Sequence, residues 1–210
     1  AKDLWKKMLR SLHETGHPWI TFKHPSNIRY SNKQEGTVHS SNLCTEILLH
    51  TKPTTYKNGE VNKVGETAVC NLASINLSNH VKVRTIDWKK LEETVETAVR
   101  GLDNVIDLNF YPTKEAKSSN LRNRPVGLGI MGTHDVLHKL GVYYNSKEAS
   151  GLCGQIQEFI SYHAILTSSK IAKEKGMYES YDGSEWSKGN LPIDTFCSMM
   201  NERNSVDTYK

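Results

Sequence analysis

The chain has no CxxC pair and no Cys/His cluster at zinc-ligand spacing, so no bound metal is expected. Long apolar runs are missing as well. None approaches the roughly 20 residues a membrane span needs, and no signal peptide opens the chain. A cytoplasmic location with no membrane contact is the expectation. Charge of one sign is equally scarce: 27 basic against 23 acidic residues leave a net +4, spread along the chain rather than blocked. A nucleic-acid surface is therefore not indicated. Apolar residues make up 37% and aromatics 8%, slightly low for a self-contained globule. With 210 residues the chain can still bury a substantial core. It opens on Ala rather than Met, and is expected to be a processed product or a piece of something longer.

Apolar spacing predicts helices over 3–15, 87–108, 132–140 and 147–175. In the second of these, Leu91, Val95, Val99, Leu102 and Ile106 share a side, with Asp87 as N-cap. Strands are expected at 42–49 and 66–77, with a short buried one at 126–130. Residues 23–40 and 50–65 read as loops, 113–124 as a polar basic stretch, and the tail after 177 as turn-rich. Alternating strands and helices predict an α/β fold. Three or four strands are too few to close a barrel or complete a doubly wound sheet. The remaining strands are expected elsewhere.

Two motifs invite a cofactor reading and are better explained without one. Gly127-Leu128-Gly129-Ile130-Met131-Gly132 fits the dinucleotide fingerprint G-x-G-x-x-G. It lacks a good apolar strand before it and an acid at the ribose position, so a tight strand-to-helix turn is the preferred reading. His134 and His138 are spaced i, i+4 with no third ligand in view. Surface or packed histidines are expected there.

Of the four cysteines, Cys153 (in a helix) and Cys197 (near the end) are read as small apolar residues. Cys44 is different. In Ser41-Asn42-Leu43-Cys44-Thr45-Glu46 an amide, a thiol and a carboxylate occupy every second position. On a strand these three would share one face. A carboxylate beside the thiol disfavours a thiolate nucleophile and suits an S–H used as a hydrogen-atom carrier, with Glu46 taking a proton. This use requires the sulfur in a water-poor pocket, and a solvent-facing Cys44 would count against it. An edge strand with one buried cysteine is the plain alternative. A second cysteine, Cys70, lies in Ala68-Val69-Cys70-Asn71-Leu72.

Several blocks together resemble the middle of the large, catalytic subunit of class I ribonucleotide reductase. They are Ser41 to Ile47, Ala68 to Ser74, Asp107 to Pro112, Arg124 to Gly129, Ala172 to Gly176 and Leu191 to Asp194, in the family's order. The resemblance implies a partial ten-stranded α/β barrel, with all of 1–210 as one central segment and no separate second domain. It implies that Cys44 becomes a transient thiyl radical, that Glu46 takes the 3′-hydroxyl proton, and that Asn42 hydrogen-bonds the substrate sugar. Asn42, Leu43 and Glu46 would contact a ribonucleoside diphosphate. Cys70 would be one of two redox-active cysteines, its partner lying upstream of anything in this chain. No cofactor is implied within the segment. The radical would come from a small metal-containing partner subunit, and electrons from a thioredoxin- or glutaredoxin-type dithiol. The other parts of the large subunit are implied partners, and the chain alone should be inactive. A non-catalytic assembly or regulatory fragment of a split reductase is the competing reading.

Overall fold

A computed structural model describes residues 1–206, the last five by backbone alone. In chain order the helices are α1 (Lys2–Thr15), α2 (Lys23–Arg29), α3 (Trp88–Leu108), α4 (Lys114–Asn123), α5 (Thr133–Leu140), α6 (Lys147–Lys175) and α7 (Pro192–Val206). The strands are β1 (Thr55–Lys57), β2 (Glu60–Lys63), β3 (Leu72–Asn76), β4 (Val81–Lys82), β5 (Thr85–Ile86) and β6 (Gly127–Met131). The chain divides into two compact units: residues 1–68 with the described tail from Ser180, and residues 69–179.

The second unit is built on a parallel pair, β3 beside β6, in register from Leu72 opposite Gly127 to Asn76 opposite Met131. A parallel pair needs a long crossover, and α3 and α4 lie within it. Helix α3 starts where the Asp87 carboxylate accepts from the Lys90 N–H at 3.1 Å. Its stripe Leu91, Val95 and Val99 packs with Ile156, Ile160 and Ile171 of α6, and with Ile75, Leu77 and Val136. These residues are the main core. Helix α4 ends at Arg124, whose φ of 44° is left-handed. The Arg124 guanidinium then grips Asp103 at 2.8 Å and Asp107 at 2.7 Å, and Lys175 reaches Asp103 at 2.6 Å. This arginine holds the Asp107 carboxyl below the usual carboxylate range.

In the first unit, α2 packs against α7, with the Arg29 guanidinium 5.5 Å from the centre of the Phe196 ring. Asn58 and Gly59, both at positive φ, turn the chain between β1 and β2. At the base of this hairpin the backbones of Lys52 and Glu66 exchange two hydrogen bonds of 2.9 and 2.8 Å. Gly65 permits that approach, because a Cβ there would press on the backbone of Lys52, Pro53 and Thr54. Gly65→Ala is therefore expected to cost about 1–3 kcal/mol, read as a lower denaturant midpoint.

The expected helices at 3–15, 87–108, 132–140 and 147–175 are present to within one residue at each end. The α/β class holds, and the described strands close no barrel. Six stretches depart from expectation. Residues 42–49 form no strand, and the strand expected over 66–77 is only β3. The stretches read as loops at 23–40 and 50–65 contain α2 and the β1–β2 hairpin. The polar stretch 113–124 is α4, and the tail carries α7.

Candidate functional site

Cys44 lies in a turn, not on a strand. The Thr45 N–H donates to the Asn42 carbonyl at 3.1 Å, and Thr45 takes a φ of 67°. A left-handed residue between Cys44 and Glu46 breaks the two-residue alternation, so the shared strand face does not exist. What closes the loop is Asn42 itself, whose Oδ1 accepts from the Ile47 N–H at 3.0 Å. Its carboxamide NH₂ is left to donate outward. Asn42 is half-buried, while Leu43, Cys44 and Glu46 are exposed. Among the described residues no hydrogen bond joins the Asn42, Cys44 and Glu46 side chains to one another. Cys44 is exposed, so the water-poor pocket expected around it is not formed by the described residues.

The first fully buried residues on either side of this turn are Val38 and His50. The Asn27 amide of α2 brackets Val38, accepting from its N–H and donating to its carbonyl, both at 2.9 Å. His50 is 2% exposed and sits in a line of polar groups. Its Nδ1 lies 2.5 Å from the Tyr30 hydroxyl and its Nε2 lies 2.9 Å from Glu66 Oε2. Lys52 Nζ contacts Glu35 at 2.6 Å and Glu66 at 3.1 Å. Burial holds the imidazole below its ordinary pKa of 6.5, against the opposing pull of Glu66. A neutral ring then accepts from Tyr30 at Nδ1 and donates from Nε2 to Glu66, a tautomer assigned from its neighbours.

Ligand atoms of Glu35, His50 and Glu66 lie within 4.8 Å of one another, a spacing that could hold a metal ion. The Lys52 ammonium already pairs with both carboxylates there, so the group reads as an ionic cluster. Sequence reasoning passed over these residues. A histidine directly after Ile47-Leu48-Leu49, and a glutamate just before Ala68-Val69, were the available signals.

Cys70 belongs to the second unit and is exposed. Its neighbour Asn71 is buried. The Asn71 amide donates to Asn120 Oδ1 at 2.7 Å and to the Pro125 carbonyl at 2.8 Å, while its own carbonyl accepts from Gly127 N–H at 2.9 Å. Asn120 also donates to the Tyr111 hydroxyl, at 2.5 Å. The residue after Cys70 is thus fixed at both backbone and side chain. Cys153 is half-buried in α6 and Cys197 is exposed in α7, so neither is the buried small residue expected from sequence.

The glycine motif behaves as a packing device. Gly127 and Gly129 lie inside β6, and a Cβ on Gly127 would collide with Leu72 of β3. Gly132, at φ 77°, makes the turn into α5. His134 stacks edge-on against Tyr144 with ring centres 5.8 Å apart. Neither His134 nor His138 joins a metal-like cluster among the described residues.

The sequence model of the family "Ribonucleotide reductase, barrel domain" matches residues 1–209. The chain belongs to that family. Its relatives include the ribonucleoside-diphosphate reductase subunit alpha of Chlamydia pneumoniae, 55% identical over 93% of this chain and 18% of that protein. The subunit alpha of Helicobacter pylori strain 26695 is 41% identical, over 92% of this chain and 30% of that protein. The large subunit of Arabidopsis thaliana is 39% identical, over 97% and 26%. The chain therefore spans between 18% and 30% of the length of these reductase subunits. Membership in the reductase family is set by similarity along the whole chain. A solvent-facing Cys44 does not overturn it. Among the described residues, no helix is long and apolar enough to cross a membrane.

Proposed function

We propose that this chain is a central segment of a class I ribonucleotide reductase catalytic subunit, contributing part of a ten-stranded α/β barrel. All of 1–210 then forms one part of that barrel domain, in a cytoplasmic enzyme that reduces ribonucleoside diphosphates. The observation that carries the reading is the Cys44 turn. A thiol and a carboxylate two residues apart are presented on a loop held shut by Asn42, in a chain of the reductase family.

On this reading Cys44, once oxidised to a sulfur-centred radical, takes the hydrogen atom from C3′ of the ribose. Glu46 accepts the 3′-hydroxyl proton, and the free NH₂ of Asn42 donates to the sugar oxygens. Leu43 lines the substrate beside them. The 2′-hydroxyl leaves as water while two electrons and two protons come from Cys70 and a second cysteine outside this chain. Those two sulfurs end as a disulfide, and Cys44 returns its hydrogen to C3′. A thioredoxin- or glutaredoxin-type dithiol restores the pair. The radical originates on a small metal-containing subunit, and no cofactor is bound by this segment. Chain outside residues 1–210 supplies the cover that Cys44 lacks here, since catalysis by a radical needs water excluded.

Glu46→Gln tests the assignment. It keeps shape and hydrogen bonding but removes the proton acceptor, and is expected to lower kcat of the assembled reductase by about 10²–10⁴. An unchanged rate would remove Glu46 from the mechanism. The presence of thiol, acid and amide together in this sequence favours an enzyme over an assembly fragment, because a scaffold needs none of them.

A further inference from the structure

The turn exposes Leu43, Cys44 and Glu46 and has no buried residue, yet hydrogen-atom transfer tolerates little misplacement. A shift of about 1 Å at a reacting group can cost on the order of 100-fold in rate. Something must fix the turn from its ends. Between Val38 and His50 every residue is exposed or half-buried, so these two are where the loop enters and leaves the packed interior.

Both points are held from the same place. Asn27, near the end of α2, pairs with the backbone of Val38 at two 2.9 Å bonds, as a neighbouring strand would. A third bond, from the same amide nitrogen to the Lys23 carbonyl at 2.9 Å, ties the side chain back to its own helix. Tyr30, the residue that ends α2, contacts His50 through its hydroxyl. Behind His50 stands Glu66, itself fastened to Lys52 through backbone bonds on both sides and through the ammonium.

We infer that Asn27 and the Tyr30–His50–Glu66 line are positioning residues for Cys44, one anchor on each leg of its turn and both carried by α2. This inference rests on the assignment of Cys44 as the hydrogen-atom carrier. It adds which residues outside the turn set the sulfur's place.

The second anchor titrates. His50 is faced by the Tyr30 hydroxyl, the Glu66 and Glu35 carboxylates and the Lys52 ammonium. A protonated ring carries N–H on both nitrogens and cannot accept from Tyr30, so the hydroxyl must turn away. Because the folded pKa lies below the ordinary 6.5, the unfolded chain binds the proton more readily. The anchor's contribution is complete above about pH 6.5 and is lost as pH falls through the lowered folded value.

The test uses the complete assembled reductase that contains this chain, with Asn27→Ala, Tyr30→Phe, His50→Ala, His50→Gln and Cys44→Ser, and thermal midpoints for each. Asn27→Ala and Tyr30→Phe are expected to lower kcat about 10- to 100-fold while KM for the nucleotide moves less than about twofold. His50→Gln can still accept from Tyr30 and donate to Glu66, but does not titrate. It should recover most of the rate lost in His50→Ala and remove the fall in kcat expected of the unmodified enzyme as pH drops through the lowered His50 value. Unchanged kcat in both Asn27→Ala and Tyr30→Phe overturns the inference. So does an acid limb whose midpoint and depth are the same in His50→Gln as in the unmodified enzyme, any limb from Glu46 being common to both, and this profile decides the matter if a harsher variant fails to fold. Cys44→Ser separates the two levels. If it abolishes turnover while the anchor variants do nothing, only the anchors fall; if it leaves turnover intact, the assignment of Cys44 falls and the inference with it.

Discussion

Cys44→Ser is expected to abolish deoxyribonucleotide formation by the proposed assembled reductase, a loss on the order of 10⁴-fold or more, and to leave assembly untouched. The size follows from bond chemistry. A serine O–H is much stronger than a cysteine S–H, so the hydroxyl cannot take up the unpaired electron and give the hydrogen back. The lack of a structural effect follows from position. Cys44 is exposed, the turn is closed by the Asn42 side chain rather than by the thiol, and an exposed exchange of similar size stays within about 0.5 kcal/mol. Deoxyribonucleoside diphosphate production and subunit association, measured on the same preparation, give the two readouts. Turnover retained in the serine variant would refute the radical assignment. Association lost with turnover would assign Cys44 to packing instead.

Leu91→Ala is expected to lower the stability of the second unit by about 2–5 kcal/mol, the largest effect expected outside the Cys44 turn. Leu91 has no exposed surface and sits in the cluster joining α3, α6, Ile75 and Val136. Truncation removes the burial of several carbon atoms and leaves a space that two long helices cannot collapse to fill. Leu108, on the same helix but 85% exposed, provides the contrast. Leu108→Ala should change stability by less than about 0.5 kcal/mol. Denaturant midpoints of the two variants separate these cases, and equal losses would mean that the α3–α6 seam is not the core.

Long amphipathic elements were legible in the sequence because several buried residues repeat the same spacing. Leu91 to Ile106 in α3, and Ile156 to Ile171 in α6, point inward as the pattern requires. Of the short helices, α5 was read to within one residue because Val136, Leu137 and Leu140 keep the spacing, and α4 was missed. Helix α4 has the sequence Lys-Glu-Ala-Lys-Ser-Ser-Asn-Leu-Arg-Asn, with one large apolar residue, and is held by the Thr113 cap and the Arg124 clasp. Neither has a periodic signature. The Asn58-Gly59 pair did signal a hairpin, and its exposed, polar flanks hid the strands.

The stretch at 42–49 shows a different failure. Alternating polar and apolar residues imitate a strand, but Ser-Asn before the cysteine supplies turn chemistry, and Asn42 closes a loop on Ile47. Asn42, Cys44 and Glu46 were singled out from that alternation and given roles by the resemblance, and the strand geometry offered to explain them was wrong. The His50 cluster escaped notice because its five members are scattered from residue 30 to residue 66. Only the fold brings them together.

The pairing of β3 with β6 has a practical consequence for handling this polypeptide. Among the described residues each of the two strands pairs with one neighbouring strand only, which leaves a sheet edge on either side, and Leu72, Ile130 and Met131 add oily surface there. Such a ribbon is a template that recruits further strands, whether from the rest of a reductase or from another copy of itself. Made without its flanking polypeptide, the chain should come out of cells as soluble oligomers or inclusion bodies, and co-production with the missing portions is the route to a well-behaved sample.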